Sequence, residues 1–391
     1  MRKPRVLVLR GHHANPWDLG PLEELGDRFD IACVTTRANL YDVRALRLEN
    51  VRAHSIRDLL PRGRLDLGRF LPSDRYFGIR SELAGADIVH AAELSHWLSA
   101  QAATQRDRRG FKLVLTVWET IPMLDTYRTS FARKRRRQVI AAGDLFLAAT
   151  RRGRDALLLE GVPEEKIRIC PPGIDLERFA APRRQAPILE HRIISPGRLV
   201  WEKGHQDVLR AFAALKHGMV AGTEAEHVTT ARLLIVGSGP EAGRLEAYSR
   251  ELGVADTVEF RRAVPYGEMP ELYASASCMV LASLPAATGA IPGGRLTLFW
   301  EEQFGMVLVE AMAAGLPVIA SASGAIPEVV GPGGTFFASG DWLELARRLV
   351  EGPFSRPPGE RVEHPPELVA RYSRRAAAER IAAAYDRVLS T

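Results

Sequence analysis

Short apolar runs alternate with longer amphipathic stretches along most of the chain. In the first half, the apolar runs predict strands at residues 6–10, 31–35, 88–90, 113–117, 145–148 and 167–170. The stretches between them predict helices, for example at 96–103 and 154–160. Buried strands that alternate with helices are typical of a parallel sheet covered by helices. The first half therefore predicts a doubly wound α/β domain.

The pattern stops at residues 171–187, where Pro, Gly, Arg and Gln dominate, which is typical of a linker. It then resumes with predicted strands at 193–196, 232–236, 258–260, 279–282 and 318–320 and predicted helices at 205–215, 240–251, 269–274 and 305–314. A chain of 391 residues is also longer than one hydrophobic core usually organises. We predict a first domain at 1–180, a linker at 181–190 and a second doubly wound domain at 191–365.

Two segments depart from this alternation. Residues 216–230 predict a surface loop. Residues 283–300 form a long insertion that contains Gly and Pro, and long loops in compact domains are often lids or binding elements.

Composition excludes global disorder, because 46% of the residues are hydrophobic and 26% are charged. The cysteines Cys33, Cys170 and Cys278 are far apart and odd in number, and they form no CxxC pair, so we expect free thiols in a reducing, cytoplasmic setting. The first apolar run, at 6–9, is too short for a signal peptide or a membrane span. We expect a buried first strand there.

The net charge of +6 makes an anionic partner plausible. The densest basic segment is RKRRR at 133–137, in a predicted helix that begins near Phe131. It is interpreted either as a solvated helix face or as a dock for an anionic membrane surface or an acidic acceptor. No recognition helix, basic aromatic sheet or zinc finger accompanies it, so we expect no nucleic-acid partner.

The first candidate for chemistry is GR-x4-KG, which follows a predicted strand and opens a helix. It supplies Gly197, Arg198, Lys203 and Gly204. A diphosphate needs fixed positive charge, which an arginine fork and a lysine ammonium provide. Ordinary surface cations are the alternative.

The second candidate is the turn GSGPEA at 237–242, which begins at Gly237. It is similar to a dinucleotide-binding fingerprint, and Glu259 lies at about the distance downstream expected for the acidic residue of that fingerprint. A Gly-rich turn also suits any tight passage from a strand into a helix. Nicotinamide or flavin binding therefore remains a rival hypothesis.

The third candidate is EEQFGMVLVEAMAAGLPVIAS, in which Glu302 and Glu310 are separated by seven residues around a predicted helix start. Carboxylates suit sugar and ribose hydroxyls, and the N–H groups near Gly305 suit phosphate oxygens. For Glu302 alone, a favourable charge at a helix N-terminus is the alternative interpretation.

The order of GR-x4-KG, VGSGP, the E-x7-E motif and SGAIPEVV resembles glycosyltransferase family 4, the "glycosyl transferases group 1" family of GT-B fold. TRRGRDALLLEGVPEEKIRICPPGIDLERF resembles the family's passage from the first domain into the linker. The resemblance is nearly continuous over residues 145–330. It implies two Rossmann-like domains that face each other across a cleft, with a final helix at 366–391 that packs back toward the first domain.

The resemblance also implies roles for individual residues. Arg198 and Lys203 would bind the donor diphosphate and stabilise the leaving group. Glu302 would contact the donor sugar and act with these cations in catalysis, and Glu310 would contact the ribose. The remaining donor-binding residues would be Gly197, Gly237, Phe304, Gly305 and Met306.

The implied activity is retaining transfer of a sugar, a hexose in our expectation, from a UDP- or GDP-linked donor to an unidentified glycan, lipid or small molecule. The chain has no D-x-D motif, so we expect no metal and no cofactor beyond the nucleoside-diphosphate sugar itself. Acceptor binding would fall to residues at strand ends of the first domain: His12, His13, Asn15, Trp17, Glu93, Trp118 and Glu119.

Two departures from the family pattern affect this interpretation. Many members have a histidine near the end of the strand predicted at 113–117, where this chain has Trp118-Glu119, and the 283–300 insertion could reshape a pocket. Another GT-B activity, such as an epimerase or a phosphorylase, and a nucleotide-binding protein without turnover remain the alternatives.

Overall fold

In the computed structural model of the chain, two compact units are each built around a sheet. The first comprises Met1–Ile174 and Arg371–Thr391, and the second comprises Asp175–Ala370. The residues whose structure is described are 2–37, 39, 41–59, 74–124, 130–180, 188–221, 226–262, 264–288 and 298–391.

The first unit holds an eight-stranded sheet within these described residues. Its strands are β1 (Arg5–Gly11), β2 (Asp30–Thr36), β3 (Glu49–Ser55), β4 (Tyr76–Phe77), β5 (Ile88–Ala92), β6 (Lys112–Val117), β7 (Leu145–Ala148) and β8 (Ile167–Ile169). The order is β4-β3-β2-β1-β5-β6-β7-β8, and only the β3–β4 pair is antiparallel. Both faces of the central strands are buried, which explains their continuous apolar runs.

The second unit holds a six-stranded sheet and a separate hairpin within its described part. The strands are β9 (Arg192–Pro196), β10 (Arg232–Val236), β11 (Val258–Arg261), β12 (Cys278–Leu281), β13 (Ala286–Thr288), β14 (Leu298–Trp300), β15 (Val318–Ser321) and β16 (Thr335–Phe337). The sheet is parallel throughout, in the order β11-β10-β9-β12-β15-β16, whereas β13 and β14 pair antiparallel.

Helices cover both sheets. In chain order they are α1 (Pro16–Glu23), α2 (Arg80–Leu83), α3 (Trp97–Arg109), α4 (Ser130–Ala142), α5 (Arg151–Leu159), α6 (Leu176–Ala180), α7 (His205–Lys216), α8 (Glu226–Thr229), α9 (Ala242–Glu251), α10 (Met269–Ala274), α11 (Met306–Ala313), α12 (Ile326–Val330), α13 (Trp342–Glu351), α14 (Pro366–Ala370) and α15 (Arg374–Leu389).

The prediction of two parallel-sheet α/β units is confirmed, and every predicted strand is present. Five strands of the described residues were not predicted as such. β3 is half exposed and carries few apolar residues, and β4 and β16 are only two and three residues long. The segment at 216–230, predicted as a loop, contains α8, and the insertion contributes the β13–β14 hairpin.

The unit boundary differs from the predicted one, which placed residues 1–180 in the first domain. α6 belongs to the second unit because Phe179 is buried there, with its ring 5.8 Å from those of Tyr266 and Tyr273. Part of the predicted linker, 181–187, lies outside the described residues.

The predicted final helix is instead two helices, because the chain turns at Arg371 and Tyr372. α14 lies in the second unit and α15 in the first. Within the first unit, Ile174 donates a hydrogen bond to Tyr372 and accepts one from Arg374, each 2.9 Å long.

The buried ring of Tyr385 fixes α15 in the first unit. Its hydroxyl lies 2.7 Å from His90 Nδ1, and the opposite ring nitrogen lies 2.7 Å from the Thr116 hydroxyl. Burial keeps the pKa of His90 well below its usual value, so the imidazole is neutral and exchanges hydrogen bonds with both hydroxyls.

Candidate functional site

Three loops of the second unit meet at one edge of its sheet. Gly197–Gly204 follows β9, Gly237 follows β10, and Ser283 lies just beyond β12. Because β10, β9 and β12 are adjacent and parallel, their carboxyl ends lie side by side. This is the edge at which ligands bind in open α/β sheets.

The two motifs predicted to act together do meet here. Lys203 Nζ donates a hydrogen bond to Glu302 Oε2 at 2.6 Å, across 99 positions of sequence. The side chains are 14% and 7% exposed, so the ion pair is largely shielded from water. The Ser283 hydroxyl donates to the same oxygen at 2.7 Å.

Both contacts use Glu302 Oε2, and Oε1 has no hydrogen-bond partner among the described residues. The loop after β15 fixes the backbone of this residue, because Ala325 N donates to the Glu302 carbonyl at 2.8 Å. The SGAIPEVV segment therefore holds the backbone of Glu302 in place.

The backbone around Lys203 requires a glycine next to it. Lys203 ends a short 3₁₀ turn, Trp201–Lys203, and Gly204 follows with a φ of +68°. A Cβ on Gly204 would lie 1.8 Å from the carbonyl oxygen of Ala282, which is a severe clash. The second glycine of GR-x4-KG is thus needed for the close approach of the Lys203 turn to the end of β12.

Gly237 has a similar explanation, which bears on the dinucleotide-fingerprint alternative. A Cβ there would lie 1.8 Å from the Gly197 carbonyl oxygen. The glycine allows the loops after β9 and β10 to pack backbone against backbone. Loop packing alone therefore accounts for a glycine at this position.

Arg198 is far more exposed than Lys203 or Glu302. Its side chain is 61% exposed, and the carboxylate of Glu202 lies 3.9 Å from its guanidinium. The guanidinium is therefore open to an anion that arrives from solvent.

The start of α11 carries the remaining donor candidates. Gly305 occupies the N-cap position with a φ of +82°, and no described side chain caps the helix. Phe304 is buried and Met306 is half-buried. α11 begins four residues after Glu302, so its N-terminal N–H groups lie close to Glu302 along the chain.

Glu310 lies deeper than the predicted ribose contact would suggest. It is buried on α11, accepts a hydrogen bond from Tyr273 Oη at 2.8 Å, and is also hydrogen-bonded by Tyr266. Burial raises the pKa of Glu310 to about 7, and the two tyrosine hydrogen bonds only partly oppose this. Neither tyrosine was predicted from the sequence as a site residue.

Another residue missed by the sequence analysis is Trp300, the last residue of β14. Its ring centre lies 4.7 Å from Lys203 Nζ, within the range of a cation–π contact. Trp300 lies in the predicted insertion, two positions before Glu302. This closeness to Glu302 along the chain is the sequence feature that could have indicated a role for Trp300 in the site.

Of the predicted acceptor residues in the first unit, the structure brings three together. Glu93 follows β5 with a φ of +62°, which is uncommon for a residue other than glycine, and its Oε1 accepts from Trp118 N at 2.8 Å. Burial and the nearby Glu119 raise the pKa of Glu93 to about 7. Glu119 itself accepts from the backbone of Thr120 and Ile121.

The other predicted acceptor residues follow β1. The rings of His12 and His13 lie 3.9 Å apart, and that of His96, which the sequence analysis did not select, lies 6.4 Å from His13. Asn15 is the N-cap of α1, and Trp17 packs edge-on against Tyr41. The side chains of Asn15 and Trp17 therefore have structural partners.

The basic segment on α4 divides between the surface and the interior. Arg133, Lys134 and Arg137 are exposed, whereas Arg135 and Arg136 are buried. Arg135 stacks on Trp97, with 4.3 Å from its guanidinium carbon to the ring centre, and Arg136 forms an ion pair with Glu160. The interpretation of the whole segment as one solvated face is therefore wrong.

Known proteins resemble the chain in sequence and in fold. Residues 183–351 match the family described as Glycosyl transferases group 1, and residues 21–178 match Glycosyltransferase Family 4. The chain belongs to glycosyltransferase family 4. The fold of this family 4 chain is similar to that of Anabaena HepE in complex with UDP, with a TM-score of 0.69 and 16% identity over 98% of this chain and 99% of that one. Both are of the GT-B type.

Two curated relatives are similar over part of the chain. The D-inositol 3-phosphate glycosyltransferase 1 of Catenulispora acidiphila is 28% identical over 68% of this chain and 64% of its own length. The GDP-mannose-dependent alpha-(1-6)-phosphatidylinositol monomannoside mannosyltransferase of Mycolicibacterium smegmatis is 30% identical over 56% and 52%. The matches thus span about half to two thirds of these relatives. In the described part of the family 4 chain, no helix is both long and apolar enough to cross a membrane.

Proposed function

We propose that this chain is a retaining hexosyltransferase that moves a sugar from a UDP- or GDP-linked donor to a glycan, a lipid or a small molecule. The observation that carries the proposal is the shielded pair of Lys203 and Glu302, 2.6 Å apart at the carboxyl edge of a parallel sheet. The UDP bound to HepE and the GDP-mannose in the name of the mycobacterial relative support such a donor.

Lys203 would bind the diphosphate without leaving Glu302. An ammonium has three N–H donors, and Glu302 takes one, so two remain for phosphate oxygens. Negative charge grows on the β-phosphate as the glycosidic bond breaks, and a fixed cation beside it stabilises the transition state more than the ground state. The exposed fork of Arg198 and the N–H groups at the start of α11 would add to this stabilisation.

Glu302 would orient the donor sugar through Oε1, which has no partner among the described residues. Its other oxygen is held by Lys203 and Ser283, so the carboxylate plane is fixed before the sugar arrives. We include no metal ion and no organic cofactor in this proposal, because cations and backbone N–H groups supply the positive charge.

Glu310 would accept hydrogen bonds from the nucleoside ribose, and its ionised form is the stronger acceptor. Since burial raises its pKa to about 7, nucleotide affinity should increase as the pH rises through neutrality. For the acceptor we propose contacts from the first unit, at the His12–His13 pair and at the Glu93 and Trp118 loops.

A thermal-shift titration with UDP, GDP, ADP and their sugar derivatives tests the donor site. A ligand at about 100 times its dissociation constant stabilises the unit that binds it by roughly 2.7 kcal/mol. We expect one nucleotide series to raise the melting temperature and Lys203→Ala to reduce that shift markedly. Lys216→Ala, on α7 of the same unit, is the matched control and should keep it.

Product analysis then separates the alternatives. Transfer gives a product that contains donor sugar and acceptor, and NMR of its anomeric proton reports retention. Glu302→Gln should remove this product, and full transfer by that variant would refute the site assignment. A sugar released or isomerised without an acceptor would indicate another GT-B activity, and nucleotide binding without any product would indicate a protein without turnover.

We also propose a peripheral contact between α4 and an anionic membrane on the cytoplasmic side. Three exposed cations and Phe131, which is 59% exposed, lie together on this helix. At about 1 kcal/mol per cation, the attraction is about 3 kcal/mol and is sensitive to salt. The phosphatidylinositol lipid in the name of the mycobacterial relative, and three cysteines that are free and buried, are compatible with this location.

Sedimentation with vesicles of phosphatidylcholine alone or with phosphatidylglycerol tests the contact at low salt. Charge reversal by Arg133→Glu and Lys134→Glu should abolish pelleting of the protein with the anionic vesicles. Reversal of Arg244, an exposed arginine of the second unit, should not. Equal recovery of the wild type in both supernatants would end the membrane proposal.

A further inference from the structure

The β13–β14 hairpin contacts the candidate donor site at its base. β14 ends at Trp300, which pairs with Ala286 at the foot of the hairpin, and the chain then runs directly into Glu301 and Glu302. The hairpin is also tied to the 3₁₀ turn that carries Lys203, because Leu284 N donates to the Glu202 carbonyl at 2.8 Å. The two segments are therefore connected through their backbones.

The Trp300 side chain adds a second connection. Its ring centre lies 4.7 Å from Lys203 Nζ, while Glu302 Oε2 lies 2.6 Å from the same nitrogen. An ammonium is attracted to the negative face of an indole, and the attraction grows as the contact is shielded from water. The Lys203 side chain is 14% exposed, so the contact is partly shielded. Lys203 is thus held by a carboxylate and by an aromatic ring.

A lysine side chain is long and has many rotamers, so a single ion pair leaves its position loosely defined. Two contacts of different geometry restrict the side chain more. A side chain that is already ordered binds or stabilises an anion without the entropy cost of being ordered on binding. We propose that Trp300 is a positioning residue for Lys203, which makes the β13–β14 hairpin part of the donor site. This inference rests on the proposed function, in which Lys203 binds the donor diphosphate.

A double-mutant cycle tests the inference. Binding of UDP and of GDP is measured by calorimetry for the wild type, Trp300→Ala, Lys203→Ala and the double variant. Trp300→Ala should weaken binding between about twofold and thirtyfold, the range of a partly shielded cation–π contact. In the Lys203→Ala background the same substitution should change affinity by less than about twofold, because residues that act through one another are not additive.

Two further variants separate positioning from folding. Trp300→Phe keeps an aromatic face and should retain most of the affinity, and also most of kcat, which a loosely held Lys203 would lower. Phe299→Ala alters the neighbouring, exposed position of β14 and is the matched control, with affinity expected to be unchanged. If Trp300→Ala fails to fold, the test uses Trp300→Phe. Tryptophan fluorescence should then change on nucleotide binding in the wild type and change less in Trp300→Phe.

The outcomes are distinguishable. Equal effects of Trp300→Ala with and without Lys203, or wild-type affinity in Trp300→Ala, would overturn the inference and leave the proposed function intact. A wild type that binds neither UDP nor GDP would overturn both.

Discussion

Removing Lys203 should destabilise the second unit even when no ligand is present. The substitution leaves the Glu302 carboxylate 7% exposed, with the Ser283 hydroxyl as its remaining side-chain donor among the described residues. Breaking a buried ion pair by removing one partner costs about 3–5 kcal/mol, and the residual exposure of Lys203 places this pair at the low end, at about 3 kcal/mol. In a unit of this size, that corresponds to a melting temperature lower by about 6–12 °C.

The physical cause is the unpaired charge, so neutralising it should restore stability. Lys203→Ala combined with Glu302→Gln should recover most of the loss, because the amide is neutral and can still accept from Ser283. Scanning calorimetry without nucleotide follows the transition of the second unit in each variant. A Lys203→Ala variant that melts with the wild type, or a double variant no more stable than Lys203→Ala, would refute the reasoning.

Three further predictions follow from single residues. Burial raises the pKa of Glu310 to about 7, so the folded state holds the Glu310 proton more tightly than the unfolded state does. The free energy of unfolding should therefore fall by on the order of 3 kcal/mol as the pH rises from about 4.5 to 7. Urea titrations at pH 5 and 8 should show a smaller fall for Glu310→Gln than for the wild type. Gly204→Ala combines a φ of +68° with a clash against a backbone carbonyl, and the yield of folded protein should drop sharply; wild-type yield and melting would contradict the close approach. Arg136→Ala leaves Glu160 buried without its cation and should lower the free energy of unfolding in urea by about 3 kcal/mol. Arg133 is exposed, so Arg133→Ala should change this free energy by less than about 0.5 kcal/mol. Similar losses of stability in the two variants would contradict the burial pattern.

The sheets could be predicted from the sequence because their central strands are buried on both faces. Such strands are continuous apolar runs, and parallel order places the loops after them at one edge. Together with the family resemblance, that reasoning predicts that Lys203 and Glu302 act in one site, although they are far apart in the chain. β3 was missed because one of its faces is open to water, which removes the apolar run.

Side-chain partners could not be predicted in the same way, because they depend on how separate elements pack. The basic segment on α4 has no sequence feature that distinguishes Arg135 from Lys134, and only the positions of Trp97 and Glu160 on neighbouring elements draw two of the arginines inward. Likewise, the E-x7-E spacing gives the position of Glu310 on a helix but not the tyrosines of the α10 region that cover it.

The placement of α15 has a consequence for how the chain folds during synthesis. The first unit lacks Tyr385, the partner of His90 in its buried network, until the ribosome has translated the whole of the second unit. The usual order, in which the N-terminal domain folds first, therefore cannot finish here. The second unit is continuous in sequence and can fold before α15 completes the first unit, so a chain truncated after residue 370 should contain a protease-resistant second unit and a protease-sensitive first unit.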